Sequence, residues 1–323
     1  MQNFKENNHV FITGSGRLSA SLCVCFLQAQ YEVTMVTGDE QQTQSLIQQH
    51  IKDIKDFKGE SINEHKLEIK DNIEAAAGCS IVIAITNENL EEKLTLLRKL
   101  ENNVHPEVLI AINTESIALS ALQASALYPA RIIGANWVEP VHNTYFLEII
   151  ANTQTDPVLL EYFYQSAKES WNKDPYIIKG NYGIRSRMMC ALIREAFYLV
   201  ENGYVSVEDI DRACRNDAGY YFPFAGNFRY MDLMGGYMYG IVMQDLNPDL
   251  SKYTHLPQFS NDLLREGAKG MQNDKGFYSY APGETQAWDT AFRKFSYQVR
   301  EIISKYAYLH QKEINSLKLK TVE

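Results

Sequence analysis

The sequence predicts an α/β domain with a mostly parallel sheet, followed by an all-α domain. Three observations lead there. Short apolar runs alternate with helical patterns over the first half of the 323 residues, the arrangement that βαβ units produce. One of these runs, Ser80–Ile85, is apolar at nearly every position, as a strand covered on both faces must be. Beyond about Pro175 the alternation stops and helical periodicity takes over.

In order, strands are expected at Val10–Thr13, Glu32–Val36, Ser80–Ile85, Val108–Ile112, Arg131–Ala135 and Phe146–Ile150. Helices are expected at Leu18–Gln30, Thr43–Ile54, Asn89–Leu100 and Ile117–Leu122. The second half opens with a long amphipathic helix, Ser186–Glu201. Ser206 with Asp209 three residues on reads as the cap of the next one. Further helical segments fall at Phe228–Met234, Tyr237–Leu246, Asp262–Glu266 and Gln286–His310. A linker is placed at Lys173–Gly183, which holds Pro175, Gly180 and Gly183, so the domains are read as residues 1–178 and 179–323.

Composition narrows the function. Hydrophobic residues make up 45% and charged residues 22%, enough for a full core. A net charge of -9 argues against nucleic acid as a partner. The start MQNFKENNHV lacks a signal-peptide pattern and no apolar run reaches the roughly 20 residues of a membrane span, so the reading is a soluble cytoplasmic protein. The five cysteines, Cys23, Cys25, Cys79, Cys190 and Cys214, form no C-x-x-C pair and read as buried free thiols. His9, His50, His65, His105, His255 and His310 are scattered without metal-ligand spacing, and no metal is expected.

The turn Thr13-Gly14-Ser15-Gly16-Arg17-Leu18-Ser19 joins the first strand to the first helix. In a dinucleotide-binding turn the first glycine makes the bend, the second lets the backbone approach the pyrophosphate, and the third allows close helix–strand packing. Gly14 and Gly16 fill two places and Ser19 the third. This marks a Rossmann-like domain, with helix-terminal amides of Ser15, Gly16, Arg17 and Leu18 facing phosphate. The ribose-binding acid is due at the end of the second strand, where Thr37 stands, with Asp39 two residues later. Asp39 either reaches the ribose or starts the next helix. No Arg or Lys is present there for a 2′-phosphate, so NAD is the expected cofactor.

Further motifs make the resemblance specific. Glu88-Asn89-Leu90 with Lys93, Asn113-Thr114-Glu115-Ser116, Ile133 to His142, Leu147-Glu148-Ile149, Val207 to Asp211, Ala225 to Leu233 and Lys275 to Tyr280 follow one another along both domains. In these segments the chain resembles the 3-hydroxyacyl-CoA dehydrogenases. The resemblance implies an NAD-dependent oxidoreductase acting on a 3-hydroxyacyl-CoA or related 3-hydroxy acid. It places Glu88, Lys93 and Asn113 at the cofactor and implies a homodimer formed through the helical half. It also implies a His–Glu pair for proton exchange, with a serine and an asparagine to position the ligands. Carried over, the glutamate is Glu148, the histidine place holds Asn136, the serine place Glu115 and the asparagine place Ser186.

An amide cannot act as a general base, though it can donate a hydrogen bond to a carbonyl. Glu115 either faces solvent or forms a rewired carboxylate pair with Glu148. His142 is either a relocated base or has no catalytic part. Arg185, Arg187 and Arg194 on the long helix either meet a phosphate or are solvated, as Lys269 and Lys275 are expected to be. The aromatics Tyr220, Tyr221, Phe222, Phe224, Phe228 and Tyr230 suit a substrate pocket, a dimer interface or plain core. Two readings stand: an enzyme with altered catalytic residues, or a nucleotide- or acyl-CoA-binding protein that has lost turnover.

Overall fold

Residues 8–308 are described by a computed structural model of the chain. The first seven residues and His310, the end of one predicted helix, lie outside the described residues. The chain divides into two compact units, Met1–Arg187 and Met188–Glu323.

The first unit is built on an eight-stranded sheet in the order β3-β2-β1-β4-β5-β6-β7-β8. Its strands are β1 (His9–Thr13), β2 (Glu32–Val36), β3 (Leu67–Lys70), β4 (Ile81–Ala84), β5 (Leu109–Ile112), β6 (Ile132–Trp137), β7 (Phe146–Ala151) and β8 (Asp174–Lys179). Every neighbouring pair is parallel except β6 with β7. Strands β4, β5 and β6 are buried at every residue, because helices cover both faces. The helices are α1 (Gly16–Gln28), α2 (Glu40–Lys58), α3 (Leu90–Asn103), α4 (Leu119–Gln123) and α5 (Pro157–Glu169). Two apolar clusters hold the layers together, one centred on α1 with Phe26, Trp137, Phe163 and Trp171, the other on Phe11, Leu97, Ile110 and Leu122.

Three elements escape the sequence pattern. β3 is a short edge strand whose half-buried apolar residues alternate with exposed Glu68 and Lys70. α5 carries its own start signal, with Asp156 accepting from the amides of Val158 and Leu159 and Pro157 at the first position. The stretch read as a linker instead holds β8, which pairs with β7 and takes Pro175 because it is an edge strand.

The second unit is helical: most of α6 (Arg185–Glu201), then α7 (Val207–Asn216), α8 (Ala218–Met234), α9 (Gly236–Leu246), α10 (Gln258–Arg265) and α11 (Glu284–Ile303). Ser206 and Asp209 form the expected reciprocal cap of α7. Phe197, Phe259 and Phe277 pack together with ring centroids 5.5–6.2 Å apart, and Tyr278 donates to Asp211 at 2.8 Å. The motif residues of this half therefore tie α7 to the loop before α11. The aromatic stretch Tyr220–Tyr230 is helical, broken at Gly226. Its residues are not core in this unit, since Tyr220 and Phe228 are more than three-quarters exposed. Cys23, Cys25 and Cys79 are buried free thiols as expected, with burial pushing Cys79 up to about 12. Cys190 is exposed, which corrects the reading of all five as buried.

Candidate active site

The carboxyl ends of β1 and β4, where the strand order reverses, form the crevice in which open α/β sheets hold their ligands. A cleft of about 450 Å³ lies there, lined by Thr13, Ile85, Thr86, Glu92, Leu96 and Lys99 among others. A second cavity of about 380 Å³, with Ser80, Pro106 and Arg131 in its wall, lies at the amino ends of the strands and is remote from this chemistry.

The turn after β1 fits a dinucleotide. Gly14 has φ +143°, and a Cβ there would sit 2.6 Å from the Ser19 hydroxyl and 2.7 Å from the Ile85 carbonyl oxygen. Gly16, at φ +82°, has open space where its Cβ would be. The backbone at the start of α1 is thus bare, as close approach of a pyrophosphate requires. Leu18 packs on the core behind it, and Arg17 donates from Nε to Glu139 at 2.6 Å.

At the end of β2 a hydroxyl chain replaces the usual acid. The Thr37 hydroxyl lies 3.0 Å from that of Ser15 and 2.9 Å from that of Thr43, and the Gly38 amide donates to Ser15. Asp39 caps α2, accepting from the Gln42 amide at 2.9 Å. Its helix-starting role is therefore realised through one oxygen.

Glu88 and Lys93 build the next wall. The Glu88 Oε1 accepts from the amides of Glu115, Ser116 and Ile117 at 2.7–3.0 Å. Its Oε2 lies 3.2 Å from the Lys93 ammonium, which is fully buried and donates to the Asn113 carbonyl at 2.7 Å. Burial works against the Glu88 charge, but the Ser116 and Ile117 amides and Lys93 outweigh it and hold the carboxyl below its usual value. Burial pulls Lys93 down, with Glu88 opposing. Asn113 exchanges two hydrogen bonds of 3.0 Å with the Thr86 backbone. Through these contacts the three residues clamp the loop after β5.

Asn136 and Glu148 face each other in register across β6 and β7. Asn136 Nδ2 donates to Glu148 Oε1 at 2.9 Å and to the Thr114 carbonyl at 2.8 Å, while its Oδ1 accepts from the Thr114 amide at 2.9 Å. The other Glu148 oxygen accepts from the Ile184 and Arg185 amides, at 2.8 and 3.0 Å, and from the Tyr176 hydroxyl at 3.1 Å. Glu148 thereby caps α6. Burial, then the adjacent carboxylate, pushes the Tyr176 hydroxyl up, so it stays a donor. Both Asn136 and Glu148 are buried. The amide expected to offer a hydrogen bond to a ligand has spent both of its N–H groups inside the protein.

Glu115 does not join Glu148 directly. Its carboxylate accepts from Arg185 Nη1 at 2.8 Å and from the Ser186 hydroxyl, and it remains about one-third exposed. Arg185 links the two carboxylates, by its amide to one and its guanidinium to the other. His142 is buried in a short turn with its ring 4.8 Å from that of His50, and it is not among the groups that bond Glu148. Arg187, Arg194, Lys269 and Lys275 are exposed. Among the described residues no group of three His, Cys, Asp or Glu is placed to hold a metal ion. No described helix is long and apolar enough to cross a membrane.

Sequence reasoning missed Tyr176, Thr114 and Gly183. A Cβ at Gly183 would stand 1.8 Å from Glu148 Oε1, so only glycine lets the carboxylate reach the start of α6. Its position just before a predicted helix was the available signal.

Comparison with known proteins agrees with this architecture. Residues 9–180 match the family model described as 3-hydroxyacyl-CoA dehydrogenase, NAD binding domain, and residues 184–280 match that family's C-terminal domain. The chain belongs to the 3-hydroxyacyl-CoA dehydrogenase family. Its first domain is an NAD-binding domain. The chain is 27% identical over 232 residues to 5-formyl-3-hydroxy-2-methylpyridine 4-carboxylate 5-dehydrogenase of Mesorhizobium japonicum, covering 71% of this chain and 75% of that protein. It is 26% identical over 208 residues to the fatty acid oxidation complex subunit alpha of Shewanella baltica, where it covers 64% of this chain but 29% of that much longer protein. Among solved structures, a 5-formyl-3-hydroxy-2-methylpyridine 4-carboxylic acid 5-dehydrogenase, described as an NAD+ dependent dismutase, superposes with a TM-score of 0.86 at 24% identity, covering 92% of this chain and 99% of that one. The (S)-3-hydroxybutyryl-CoA dehydrogenase of Ralstonia eutropha gives 0.67 at 22% identity, with 85% and 99% covered. At these identities the two structures speak for the fold.

Proposed function

We propose that the chain is an NAD-dependent oxidoreductase acting on a 3-hydroxyacyl-CoA or a related 3-hydroxy acid, with Glu115 exchanging the proton that a histidine handles elsewhere in the family. One observation carries this reading. Asn136 is buried with both N–H groups bonded inside the protein, while Glu115, which follows the Thr114 that Asn136 bonds, is a carboxyl about one-third exposed.

Bound NAD supplies the hydride acceptor or donor. Gly14, Ser15, Gly16, Arg17 and Leu18 form the phosphate turn, Thr37 and Asp39 stand at the ribose end, and Glu88, Lys93 and Asn113 fix the loop that presents Glu115. A hydroxyl that loses hydride must also release a proton. Glu115 takes it, held in place by Arg185 and Ser186, and Glu148 anchors the start of α6 on which both of those residues lie. The pyridine carboxylate named for the Mesorhizobium relative supports substrates beyond acyl-CoA in this fold.

NADH-dependent reduction of acetoacetyl-CoA and acetoacetate, followed by nicotinamide absorbance, tests the assignment. Glu115→Gln lowers kcat by about 10²–10⁴, the usual contribution of a general acid–base group. Asn136→His gives the site a second route to the proton and raises the rate, and Glu148→Gln cancels that gain. A rate within twofold of wild type for Glu115→Gln rules out Glu115 as the proton carrier.

The burial of Asn136 against Glu148 favours a second reading, a nucleotide- or acyl-CoA-binding protein without turnover. Retained NADH binding with no reduction of either substrate decides for it. In both readings the chain works as a homodimer through its helical half. Helices α6, α7 and α8 hold no buried residue, and Met188, Leu192, Phe228, Leu233, Phe292 and Phe295 are exposed in one chain. A second copy of the same helices covers such a surface.

A further inference from the structure

We infer that Arg185 is a specificity residue that recognises the carboxylate of a free 3-hydroxy or 3-oxo acid, so that the acid is preferred to its CoA thioester. The inference rests on the proposed reading of the site as one that binds a hydroxy or carbonyl ligand beside Glu115.

Arg185 is held at both ends. Its backbone amide donates to Glu148 Oε2 at 3.0 Å, and its Nη1 donates to Glu115 Oε1 at 2.8 Å. The second Glu115 oxygen accepts from Ser186, and Glu115 uses one N–H of the guanidinium. The Nε and Nη2 groups have no partner among the described residues, and the side chain is 38% exposed. Those two N–H groups form the side-on edge of the guanidinium, parallel donors whose spacing matches the two oxygens of a carboxylate. A thioester offers one neutral carbonyl oxygen in the same place and satisfies only half of that edge.

The surroundings agree. Glu115 is offset by Arg185 itself, and the Glu148 charge is buried behind the Asn136 amide, the Tyr176 hydroxyl and two backbone amides. An incoming carboxylate therefore meets a guanidinium edge that is already oriented, and little side-chain freedom is lost on binding. The sequence sets Arg185 at the first position of α6, immediately before the Ser186 that contacts Glu115.

Calorimetric titration of the NADH-loaded full-length protein with acetoacetate and with methyl acetoacetate, its neutral ester, tests the assignment, together with reduction rates for both. The acid is expected to bind about 10- to 100-fold more tightly than the ester, the range for hydrogen bonds to a charged group. Arg185→Met abolishes the difference by weakening the acid alone, and Arg185→Lys restores part of it as a charge without a fork. Neither substitution touches the backbone amide that meets Glu148. Equal binding of acid and ester by wild type overturns the proposal, as does an acid preference that survives Arg185→Met, or no binding of either compound. Reduction of acid and ester at equal rates, both dependent on Glu115, removes the Arg185 assignment and leaves the proposed function standing. Arg185-dependent binding of the acid without reduction does the reverse.

Discussion

Replacing Gly183 by alanine puts a methyl group into the most crowded point of the site. The new Cβ lies 1.8 Å from Glu148 Oε1, 2.7 Å from its Cδ and 3.2 Å from Asn136 Nδ2. Glu148 is fully buried and has no solvent-filled space to enter. Either the carboxylate leaves its partners or the first turn of α6 shifts, and both break the bonds to the Ile184 and Arg185 amides. A hydrogen bond to a charged group contributes about 1.5–3 kcal/mol, and stripping a buried charge of its partners costs about 3–5 kcal/mol. The losses overlap, so about 3–5 kcal/mol is expected in all, or a fall in Tm on the order of 10 °C for a unit of this size. Denaturant unfolding followed by tryptophan fluorescence in a Trp288→Phe background reads the right part of the chain, since Trp137 and Trp171 lie in the first unit and Trp288 in the second. The same substitution in a Glu148→Ala background costs less than about 1 kcal/mol, because the clash has gone. An equal cost in both backgrounds, or a loss below about 1 kcal/mol in the wild type, refutes the account of Gly183 as the passage for Glu148.

Gly14→Ala, which combines a φ of +143° with contacts of 2.6 and 2.7 Å, abolishes NADH binding in calorimetry, and unchanged affinity sinks the phosphate-turn assignment. NADPH binds more weakly than NADH in the wild type, since the stretch after Val36 offers Thr37 and Asp39 and no basic residue; equal affinities remove that cofactor preference. Glu88 has a folded pKa below its ordinary 4.5, so its stabilising contribution is complete above that value and fades as pH falls through the depressed one. Wild type therefore exceeds Glu88→Gln by about 1–3 kcal/mol at pH 7, and the gap closes towards pH 3; a gap that persists in acid refutes the loop-clamp account. Light scattering gives about twice the 37.0 kDa chain mass, and a concentration-independent monomer dismisses the helical interface.

The elements most readable in the sequence are those whose cause is local. The glycine turn, the Ser206–Asp209 cap and the fully apolar β4 and β5 each follow from residues within a few positions of one another. β3 and β8 were hidden because edge strands need no continuous apolar run, and Pro175 reads as a breaker until its place at the sheet edge is known. The site was half readable. Aligned motifs brought Glu148, Asn136, Glu115 and Ser186 to attention, but they do not show that Asn136 has no free donor, or that Glu115 is turned to Arg185 rather than to Glu148.

By itself the sequence determined an NAD-binding α/β domain followed by a helical domain, and the family resemblance implied that the amide of Asn136 stands where a general base is due. Periodicity, turn glycines and the chemistry of a single side chain suffice for these, since each is a property of the chain over a short span. The tertiary structure alone decided how the charges are shared. Arg185 lies 70 residues from Glu115 and 37 from Glu148, and the parallel crossovers together with the antiparallel β6–β7 pair bring both carboxylates within its hydrogen-bond reach. Which donors a buried carboxylate finds is a matter of where those crossovers end, and that position is set by the packing of the whole sheet.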